Sequence, residues 1–397
     1  MKILHLSPYV PDVRASHAGG VLMGKEVETL KQLHPVHVLT FCNNQREKEL
    51  LRDHPDFGFI RTSPLIFLRK VLTFFWMPNM FALRKDRQYW KKACEIIERE
   101  QIDAVYAEYT AMGQYSRLKK KYPGLVFHLV EHDIAIQSYE RQCTEAKGIR
   151  KIYKQIERAK VWKYEKQYVR NADLVYVLNG KDEKLLAERY GVKNIRVLNP
   201  YYGIDFSRTG ETGGKEKAIC FIGNMGRDEN HTAAMRLIRI FREMNLTDWK
   251  LNIIGAYPRE ELKQQESDSI HITGFVEDIN AEIVKNAMAV FPLTCGAGIK
   301  LKVLLAFSLG LPVITSAVGA EGIDPEGKVL LLAETDEKFR SGMETLMENE
   351  DLRTRIRAAS LAYVRKNFGW DKSEQIFREV YGTGENPASV RRETGSR

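Results

Sequence analysis

The chain has 397 residues, of which 44% are hydrophobic, and a formal net charge of +9 at pH 7. This length exceeds what one hydrophobic core commonly organises, so two domains of about 200 residues each are predicted, with the composition of an ordinary globular protein. Five cysteines without C-x-x-C spacing indicate neither a zinc site nor a disulfide framework. Only a few apolar residues follow Lys2 before Pro8 and Pro11, far fewer than a secretory signal contains, so we expect a cytoplasmic protein.

The positive charge is concentrated in the first half of the chain. Residues 1–200 contain 35 basic and 23 acidic side chains, a net charge of +12, whereas the remainder contains 26 basic and 29 acidic ones, a net charge of −3. A basic half suggests an anionic partner. The candidates are a membrane surface, a phosphorylated acceptor and nucleic acid. No helix-turn-helix, zinc-finger or RNA-recognition signature is present, so nucleic acid is not the expected partner.

The chain begins with a predicted strand, a glycine-bearing loop and a helix. Residues 2–7 form the strand, and Gly19 and Gly20 precede a helix at about residues 21–32. The loop is too long, and its glycine spacing is wrong, for the dinucleotide fingerprint G-x-G-x-x-G, so a nicotinamide cofactor is not expected. The two glycines either turn the chain or allow backbone to approach a ligand.

Residues 61–92 mix aromatic side chains with eight basic residues and one acidic residue. Arg69, Lys70 and Pro78 interrupt the apolar runs, which are shorter than the roughly 20 residues that a membrane-spanning helix needs. Two interpretations stay open. The segment lies on an anionic membrane surface, or Phe74, Phe75 and Trp76 pack in the first domain while the basic residues face solvent.

Polar residues follow two predicted strands of the first domain. Residues 102–107 lead into Glu108, and residues 125–130 lead into Glu131, His132 and Asp133. Side chains at the carboxyl ends of parallel strands point into the crevice where α/β proteins bind ligands. His132 is therefore the best candidate for a catalytic group in this half, although an isolated histidine is more often structural.

The periodicity divides the chain into segments. A basic helix is predicted at about residues 147–170, with an inward apolar stripe of Ile149, Ile152, Ile156 and Ala159. The predicted domain organisation is a first domain at 1–200, a linker at 201–215, a second domain at 216–368, a final helix at 369–381 and a disordered tail at 382–397. Alternating strands and helices predict a second parallel sheet in the second domain.

A strand, a glycine-rich turn, a helix and a second strand are predicted between residues 289 and 315. Gly296 and Gly298 lie in the turn, Gly310 is expected in the left-handed conformation after the helix, and Pro312 prevents its continuation. Lys300 and Lys302 fall in the first helical turn, where the helix dipole disfavours cations. A bound diphosphate would compensate them; the alternative is that both lysines only face water.

These motifs together resemble the retaining family 4 glycosyltransferases of the GT-B fold, the group 1 glycosyl transferases. The resemblance covers nearly the whole chain. It rests on Gly19-Gly20, Glu131-His132-Asp133, NPYYGID at 199–205, FIGNMGRDEN at 221–230, GAGIKLK at 296–302, LPVI and GAEGI at 311–323, and FGWDKS at 368–373. It implies two Rossmann-like parallel-sheet α/β domains facing each other across a cleft, with the acceptor side in the first, the donor site in the second, and the last helix crossing back to the first domain.

The resemblance also implies the residues of the site. His132 and Asp133 would lie at the catalytic centre, Gly274, Phe275, Val276 and Glu321 would bind the donor nucleoside, and the donor diphosphate and sugar would contact Gly19, Gly20, Gly223, Asn224, Arg227, Gly296, Gly298, Lys300 and Lys302. No D-x-D motif occurs, so neither a metal nor another cofactor is expected. The chain departs from the family at two glutamates, replaced by Ala297 and Leu305, and at an Arg and a Lys, replaced by Asn224 and Glu229.

The leading hypothesis is a metal-independent glycosyltransferase of the hexosyltransferase type that acts on a nucleotide-sugar donor. Its acceptor would be a glycan or a lipid-linked saccharide, in bacterial-type cell-surface polysaccharide or glycoconjugate synthesis at the cytoplasmic face of the membrane. A nucleotide-sugar epimerase or hydrolase on the same fold is an alternative. The missing glutamates motivate another, a noncatalytic nucleotide-sugar-binding protein.

Overall fold

The computed structural model describes residues 1–62, 73, 76–201, 216–296 and 299–382, apart from the side chain of Glu145. The chain divides into two compact units, one formed by Met1–Gly203 with Trp370–Arg397 and the other by Ile204–Gly369. The first unit is thus built from both ends of the chain. Most of the predicted linker (202–215), most of the predicted tail (383–397), Phe74, Phe75, Ala297 and Gly298 fall outside the described residues.

The first unit is organised around a parallel sheet. Its strands are Ile3–Ser7 (β1), Val36–Cys42 (β2), Gly58–Arg61 (β3), Ala104–Glu108 (β4), Val126–Glu131 (β5), Leu174–Val177 (β6) and Ile195–Val197 (β7). Within the described residues they pair in the order β3-β2-β1-β4-β5-β6-β7, and every pairing is parallel. The central strands are short and fully buried, as expected when helices cover both faces of a parallel sheet.

Helices connect these strands. They are Ala18–Leu33 (α1), Gln45–Leu50 (α2), Asn79–Ala82 (α3), Arg87–Glu100 (α4), Leu118–Lys121 (α5), Ala135–Glu145 (α6), Gly148–Asn171 (α7) and Gly180–Tyr190 (α8), with 3-10 helices at Leu51–Asp53 and Thr110–Arg117. Side-chain caps start several of them. Asp86 caps α4 by accepting from the amides of Gln88 and Tyr89, which satisfies two donors that the helix leaves unpaired.

The second unit holds a second parallel sheet. Its strands are Glu216–Ile222 (β8), Lys250–Ile254 (β9), Ile270–Gly274 (β10), Asn286–Phe291 (β11), Val313–Thr315 (β12) and Leu331–Leu332 (β13). Within the described residues they pair in the order β10-β9-β8-β11-β12-β13, again all in parallel. Because the strand order reverses between β8 and β11, the carboxyl ends of these two strands mark the place where α/β sheets bind ligands.

The helices of the second unit surround this sheet. They are Asp228–Glu243 (α9), Glu260–Lys263 (α10), Ile279–Val284 (α11), Leu301–Ser308 (α12), Ala317–Ala320 (α13), Asp336–Glu348 (α14) and Glu350–Phe368 (α15). The chain then returns to the first unit through Trp370–Tyr381 (α16). Gly310 follows α12 with a φ of +77°, the left-handed conformation that the sequence predicted.

The two faces of the first sheet differ in chemistry. One face carries aliphatic and aromatic side chains that belong to the main core, namely Leu4, Leu6, Val105, Phe127 and Val175. The alternate positions carry His5, Tyr106, His128 and Tyr176, all fully buried. Helices α1 and α16 lie on this polar face, where Tyr106 donates to Glu26 of α1 at 3.2 Å and His128 Nδ1 lies 2.6 Å from the Tyr381 hydroxyl.

The predicted fold class, α/β with two Rossmann-like parallel sheets, is confirmed, but one prediction about α7 is wrong. Ile149, Ile152 and Ile156 do not form an inward stripe, because they are 87%, 59% and 45% exposed. The inward face of α7 is instead formed by Glu157, Val161, Glu165, Tyr168 and Val169. The physical reason is that buried carboxylates hold this helix to the unit through hydrogen bonds, which leaves the isoleucines on the opposite face.

Other predictions are refined by the structure. The end of the predicted second domain, 216–368, is formed by α14 and α15, which are separated at Asn349, whose side chain caps the second of them. In the aromatic and basic segment, Phe81 is fully buried and Trp76 is 57% exposed, so neither interpretation fits every aromatic residue there. The cysteines are free thiols, and all except Cys295 are buried. In the part of the chain described here, no helix combines the length and the apolar character required to cross a bilayer.

Candidate functional site

Three strands of the first unit bring two histidines to one carboxylate. Strand β1 carries His5, β4 ends at Glu108, and His132 follows β5 directly. Glu108 Oε1 lies 2.9 Å from His5 Nε2, and Glu108 Oε2 lies 2.8 Å from His132 Nε2. Since β1, β4 and β5 are adjacent parallel strands, their register places these side chains at the same end of the sheet. All three side chains are buried.

A second carboxylate, Glu26 of α1, completes this buried cluster. Burial raises the pKa of Glu108 to about 8 and raises the pKa of Glu26 well above its ordinary range, with the neighbouring Glu108 adding to the shift. Burial also lowers the pKa of His5 to about 4 and lowers that of His132. At neutral pH the cluster therefore holds protonated carboxyl and neutral imidazole groups, which avoids the cost of burying charge.

The same cluster contains a set of atoms close enough to share a metal ion. Ligand atoms of Glu26, Glu108 and His132 all lie within 4.8 Å of one another, the one such group among the described residues. These groups already hydrogen bond within the cluster, and the raised carboxyl pKa values mean that protons can neutralise it. We therefore interpret it as a hydrogen-bonded network that fixes His132.

Tyr109 links His132 to the glycine pair at the start of α1. Its ring is stacked on the His132 imidazole, and its hydroxyl occupies the space beside Gly19, where an added Cβ would lie only 1.8 Å from the oxygen. Gly20 donates its amide to His17 Nδ1 at 3.0 Å, which caps α1. Tyr109 therefore lies between Gly19 and His132, and Gly20 follows Gly19 in α1. Asp133, the residue after His132, is exposed.

In the second unit, Lys300 and Glu321 come together. Lys300 immediately precedes α12, and only 8% of it is exposed. Its Nζ lies 3.7 Å from Glu321 Oε2 in the segment that follows α13. Gly296 has a φ of +122°, and a Cβ there would meet the Lys300 side chain at 3.1 Å, so the turn makes room for this lysine. Gly298 is outside the described residues.

Lys302 connects this turn to the loop after β8. Its Nζ donates to Asn230 Oδ1, and Asn230 Nδ2 donates to the Asn224 carbonyl at 2.8 Å. Asn230 also packs on Gly223, where an added Cβ would lie 2.9 Å from its Nδ2. Burial lowers the pKa of Lys302 to about 8, with the positive charges of Arg227 and Lys300 contributing in the same direction. An anion bound here would stabilise the charged form of Lys302.

The remaining predicted donor-site residues occupy other positions in this unit. Arg227 is largely exposed and pairs with Glu229 at 2.5 Å. Gly274 ends β10 with a φ of +67°, Phe275 is 65% exposed, and Val276 is half-buried. Leu305, at one of the replaced family glutamates, lies half-buried in α12. Among these residues, Phe275 has the most exposed apolar side chain.

Sequence reasoning missed several residues that organise these sites: His5, Glu26, Tyr109 and Asn230. Two of them carried a signal. His5 interrupts a buried apolar strand, and Glu26 interrupts the buried face of α1 between Met23 and Leu30. A polar residue in such a position needs a buried partner, so both indicate a network even before the partner is known.

Comparison with known proteins places this geometry in context. Residues 216–349 match a family model described as glycosyl transferases group 1. The matched segment contains Lys300, Lys302, Asn230 and Glu321. No curated protein matches the chain in sequence.

Solved structures resemble the chain over nearly its whole length. Sucrose-phosphate synthase from Thermosynechococcus elongatus has a TM-score of 0.68 and 14% identity, covering 97% of this chain and 100% of that one. HepE from Anabaena, solved in complex with UDP-glucose, has a TM-score of 0.69 and 14% identity, covering 96% and 100%. A variant of TarM from S. aureus, solved with UDP, fondaparinux and alpha-GlcNAc-glycerol, has a TM-score of 0.65 and 10% identity, covering 95% and 99%.

At these identities the structural likeness establishes the fold, and the family match concerns the second unit. The chain therefore has the two-sheet α/β architecture of GT-B glycosyltransferases, and its residues 216–349 match the group 1 glycosyltransferase family.

Proposed function

We propose that this protein is a retaining, metal-independent glycosyltransferase of family 4. It would transfer a hexose from a nucleotide-sugar donor to a glycan or lipid-linked acceptor, in the synthesis of a bacterial-type cell-surface polysaccharide or glycoconjugate on the cytoplasmic side of the membrane. The observation that carries this proposal is the pair of lysines at the start of α12, Lys300 buried and Lys302 half-buried, inside the segment that matches group 1 glycosyltransferases. The complexes of HepE and TarM with UDP or UDP-glucose support a uridine nucleotide as the first donor to test.

The lysines suit a departing diphosphate. Sugar transfer separates the anomeric carbon from a diphosphate that gains negative charge, so positive groups fixed near that oxygen stabilise the transition state. Lys300 and Lys302 would supply this charge together with the amides at the start of α12. Glu321 compensates Lys300 in the free protein and would exchange that contact for ribose or sugar hydroxyls when the donor binds.

The first unit would contribute a neutral imidazole. Glu108 engages His132 Nε2, so Nδ1 is the nitrogen left to hydrogen bond a hydroxyl of the sugar or of the acceptor. In the retaining reaction that we propose, the leaving phosphate takes the acceptor proton on the same face of the sugar. His132 then acts by orienting a hydroxyl, and no strong protein base is needed.

The proposal is tested by ligand-dependent stability followed by product analysis. UDP-, GDP- and ADP-sugars are screened for their effect on thermal unfolding, since a ligand at 100 times its Kd stabilises the folded state by about 2.7 kcal/mol. We expect one nucleotide class to raise the Tm, and the Lys300→Ala variant to lose that rise. Product formed with an acceptor is then examined by NMR for an unchanged anomeric configuration.

Each alternative gives a different result in this experiment. Stabilisation by a nucleotide sugar without transfer or hydrolysis would support the noncatalytic binding protein that the missing glutamates suggest. Conversion of the donor to an epimer or to free sugar, without an acceptor requirement, would support an epimerase or a hydrolase. If none of the nucleotide sugars stabilises the protein, the proposed donor site is contradicted.

A further inference from the structure

Helix α7 presents an exposed apolar face on the first unit. Ile149, Ile152 and Ile156 are 87%, 59% and 45% exposed, and their spacing of three and four residues aligns them on one side of the helix. Ala159, one turn further along, is also exposed. Single exposed isoleucines are ordinary on protein surfaces, whereas an aligned group of them marks an interaction surface.

The charges on α7 are separated by face. Its two acidic residues, Glu157 and Glu165, are 1% and 0% exposed. Glu165 accepts from the amides of Ala135 and Ile136 at 2.6 and 3.1 Å and from the Tyr190 hydroxyl at 2.7 Å. Glu157 accepts from the amide of Asn79 at 2.9 Å and pairs with Lys160. Both carboxylates are thus used to hold the helix in place.

The exposed charged side chains of α7 are all basic. At 100° of rotation per residue, Lys163 and Arg170 lie on the side of the helix that carries the isoleucines, and Lys151 lies on the flank of its exposed side. The indole of Trp162 is 43% exposed, with Lys166 Nζ 4.6 Å from its ring centroid. This combination of aligned isoleucines, a tryptophan and uncompensated positive charge complements a surface that is apolar within and negatively charged at its boundary.

A second exposed aromatic residue adjoins this face. Trp76 is 57% exposed, and the carbonyl of the next residue, Met77, accepts from Lys160 Nζ of α7 at 3.3 Å. The side chain of Asn79 donates to the Tyr153 hydroxyl of α7 at 2.8 Å. These contacts fix residues 77–79 against Tyr153 and Lys160, which lie around the helix between the isoleucines and its inward face, so the exposed Trp76 lies next to the isoleucine side.

We propose that the outward face of α7, formed by Ile149, Ile152 and Ile156 with their basic neighbours and with Trp76 beside them, docks on the surface of an anionic lipid bilayer. The isoleucines and the indole enter the boundary between headgroups and acyl chains, and the lysines and arginines contact anionic headgroups. The absence of acidic side chains from the described outward face favours a uniformly negative surface over a protein with mixed charges. The proposal uses no residue of the donor or His132 sites and does not rest on the transfer reaction.

The experiment measures flotation of the full chain with liposomes, one set of phosphatidylcholine alone and one containing roughly a third phosphatidylserine. We expect flotation with the anionic vesicles only, and release in high salt, because screening shortens the range of the attraction. The test variant combines Ile149→Ser, Ile152→Ser and Ile156→Ser. Because these side chains are exposed, the fold should tolerate the changes, and we expect vesicle affinity to fall at least about tenfold.

A charge variant and a matched control complete the design. Lys163→Glu with Lys166→Glu reverses two charges beside the isoleucines, whereas Lys250→Glu with Lys338→Glu makes the same change in charge at exposed positions of the second unit. We expect the first pair to abolish flotation and the second pair to retain it. Thermal unfolding of every variant verifies that the fold is kept.

Three results with vesicles would overturn the proposal. They are equal binding, or no binding, to neutral and anionic vesicles, undiminished flotation of the folded isoleucine variant, and equal losses in the two charge variants. Binding of an RNA oligonucleotide without binding to either vesicle would assign the basic face to nucleic acid and would also overturn it.

Discussion

The ring of Tyr109 lies flat against the imidazole of His132, with 3.8 Å between the ring centroids and 6° between the ring planes. Glu108 restrains the same imidazole within its own plane, through the bond to Nε2. The two contacts fix the ring in perpendicular directions. The backbone of Tyr109 has φ of 67° and ψ of 147°, a conformation that residues other than glycine rarely adopt. Such strain is most often retained where a site depends on it.

Replacement of Gly19 by Ala should reduce transfer at least tenfold. The added Cβ would lie 1.8 Å from the Tyr109 hydroxyl, so the tyrosine must leave its place over His132. Initial transfer rates and thermal unfolding measure the effect. Gly180→Ala is the matched control, since a Cβ there meets nothing within 4 Å.

The double variant Gly19→Ala, Tyr109→Phe tests the cause of that loss. Without the hydroxyl, the ring atom nearest to the added Cβ of residue 19 is Cζ, at 3.1 Å. Activity should therefore recover in part. A double variant as inactive as the single one would show that Tyr109 is not the reason.

Replacement of Lys300 by Ala should weaken binding of the nucleoside diphosphate by about 1.5–3 kcal/mol, the range for a hydrogen bond to a charged group. Lys300 is almost completely buried at the start of α12, so its charge acts with little screening from solvent. Calorimetric titration with UDP provides the comparison. Lys328→Ala, which removes a well-exposed lysine of the same unit, should leave the affinity unchanged. Equal affinities for Lys300→Ala and the unaltered protein would remove Lys300 from the site.

The affinity for the diphosphate should fall as the pH rises above 8. The free protein holds Lys302 with a pKa of about 8, lowered by burial, whereas a bound anion favours its charged form. Binding above pH 8 must then take up a proton, so the affinity should decrease by about tenfold per pH unit until the pKa of the complex is reached. Calorimetric titration with UDP at pH 8.5, in two buffers of different ionisation enthalpy, detects the proton that is taken up on binding. The variant Lys302→Met should bind weakly and show no such uptake.

The stability of the protein should contain a component from Glu108 that decreases with pH. The folded state keeps the carboxyl proton up to a pKa of about 8, whereas the unfolded chain loses it near 4.5. The unfolded state thus binds fewer protons between these values, and the free energy of unfolding falls as the pH rises, by up to about 1.4 kcal/mol per unit. His5 and His132, with lowered pKa values, contribute only below about 6.5. Urea unfolding at pH 7 and pH 8.5 should show a smaller decrease for Glu108→Gln than for the unaltered protein.

Transfer should be insensitive to chelation. The sequence has no D-x-D motif, and the two lysines with the start of α12 can neutralise the leaving group. Initial rates with and without EDTA should agree. Activity that disappears in EDTA and returns with magnesium or manganese would show that a metal supplies this charge instead.

Local patterns were sufficient to predict the sheets, and insufficient to predict the buried networks. The strands that end at Glu108 and Glu131 lie within two residues of their predicted bounds, because short apolar runs bounded by polar residues mark buried parallel strands. The cluster around Glu108 could not be predicted in this way. His5 and Glu108 are 103 residues apart in the chain, and Tyr106 and Glu26 are 80 apart, so only the fold shows that they are partners.

Helix α7 shows why periodicity alone does not determine which face is inside. Isoleucines spaced by three and four residues are equally typical of a face buried in a core and of a face that meets a partner. The orientation is set here by Glu157 and Glu165, whose hydrogen-bond partners lie on other elements of the first unit. The sequence shows that α7 has only two carboxylates, but the structure is needed to show that both are buried.

The first unit is completed by α16, which lies far along the chain from the rest of that unit, and this has a consequence for biosynthesis. The Tyr381 hydroxyl that pairs with His128 emerges from the ribosome 253 residues after its partner. The strands of the second unit are all synthesised in the interval, so this unit is able to fold first, although it is made second. Until α16 arrives, the His128 and Tyr176 face of the first sheet is without its cover. Nascent chains that end before Trp370 therefore expose polar side chains that the folded protein buries. Chaperones and proteases should recognise this form of the chain.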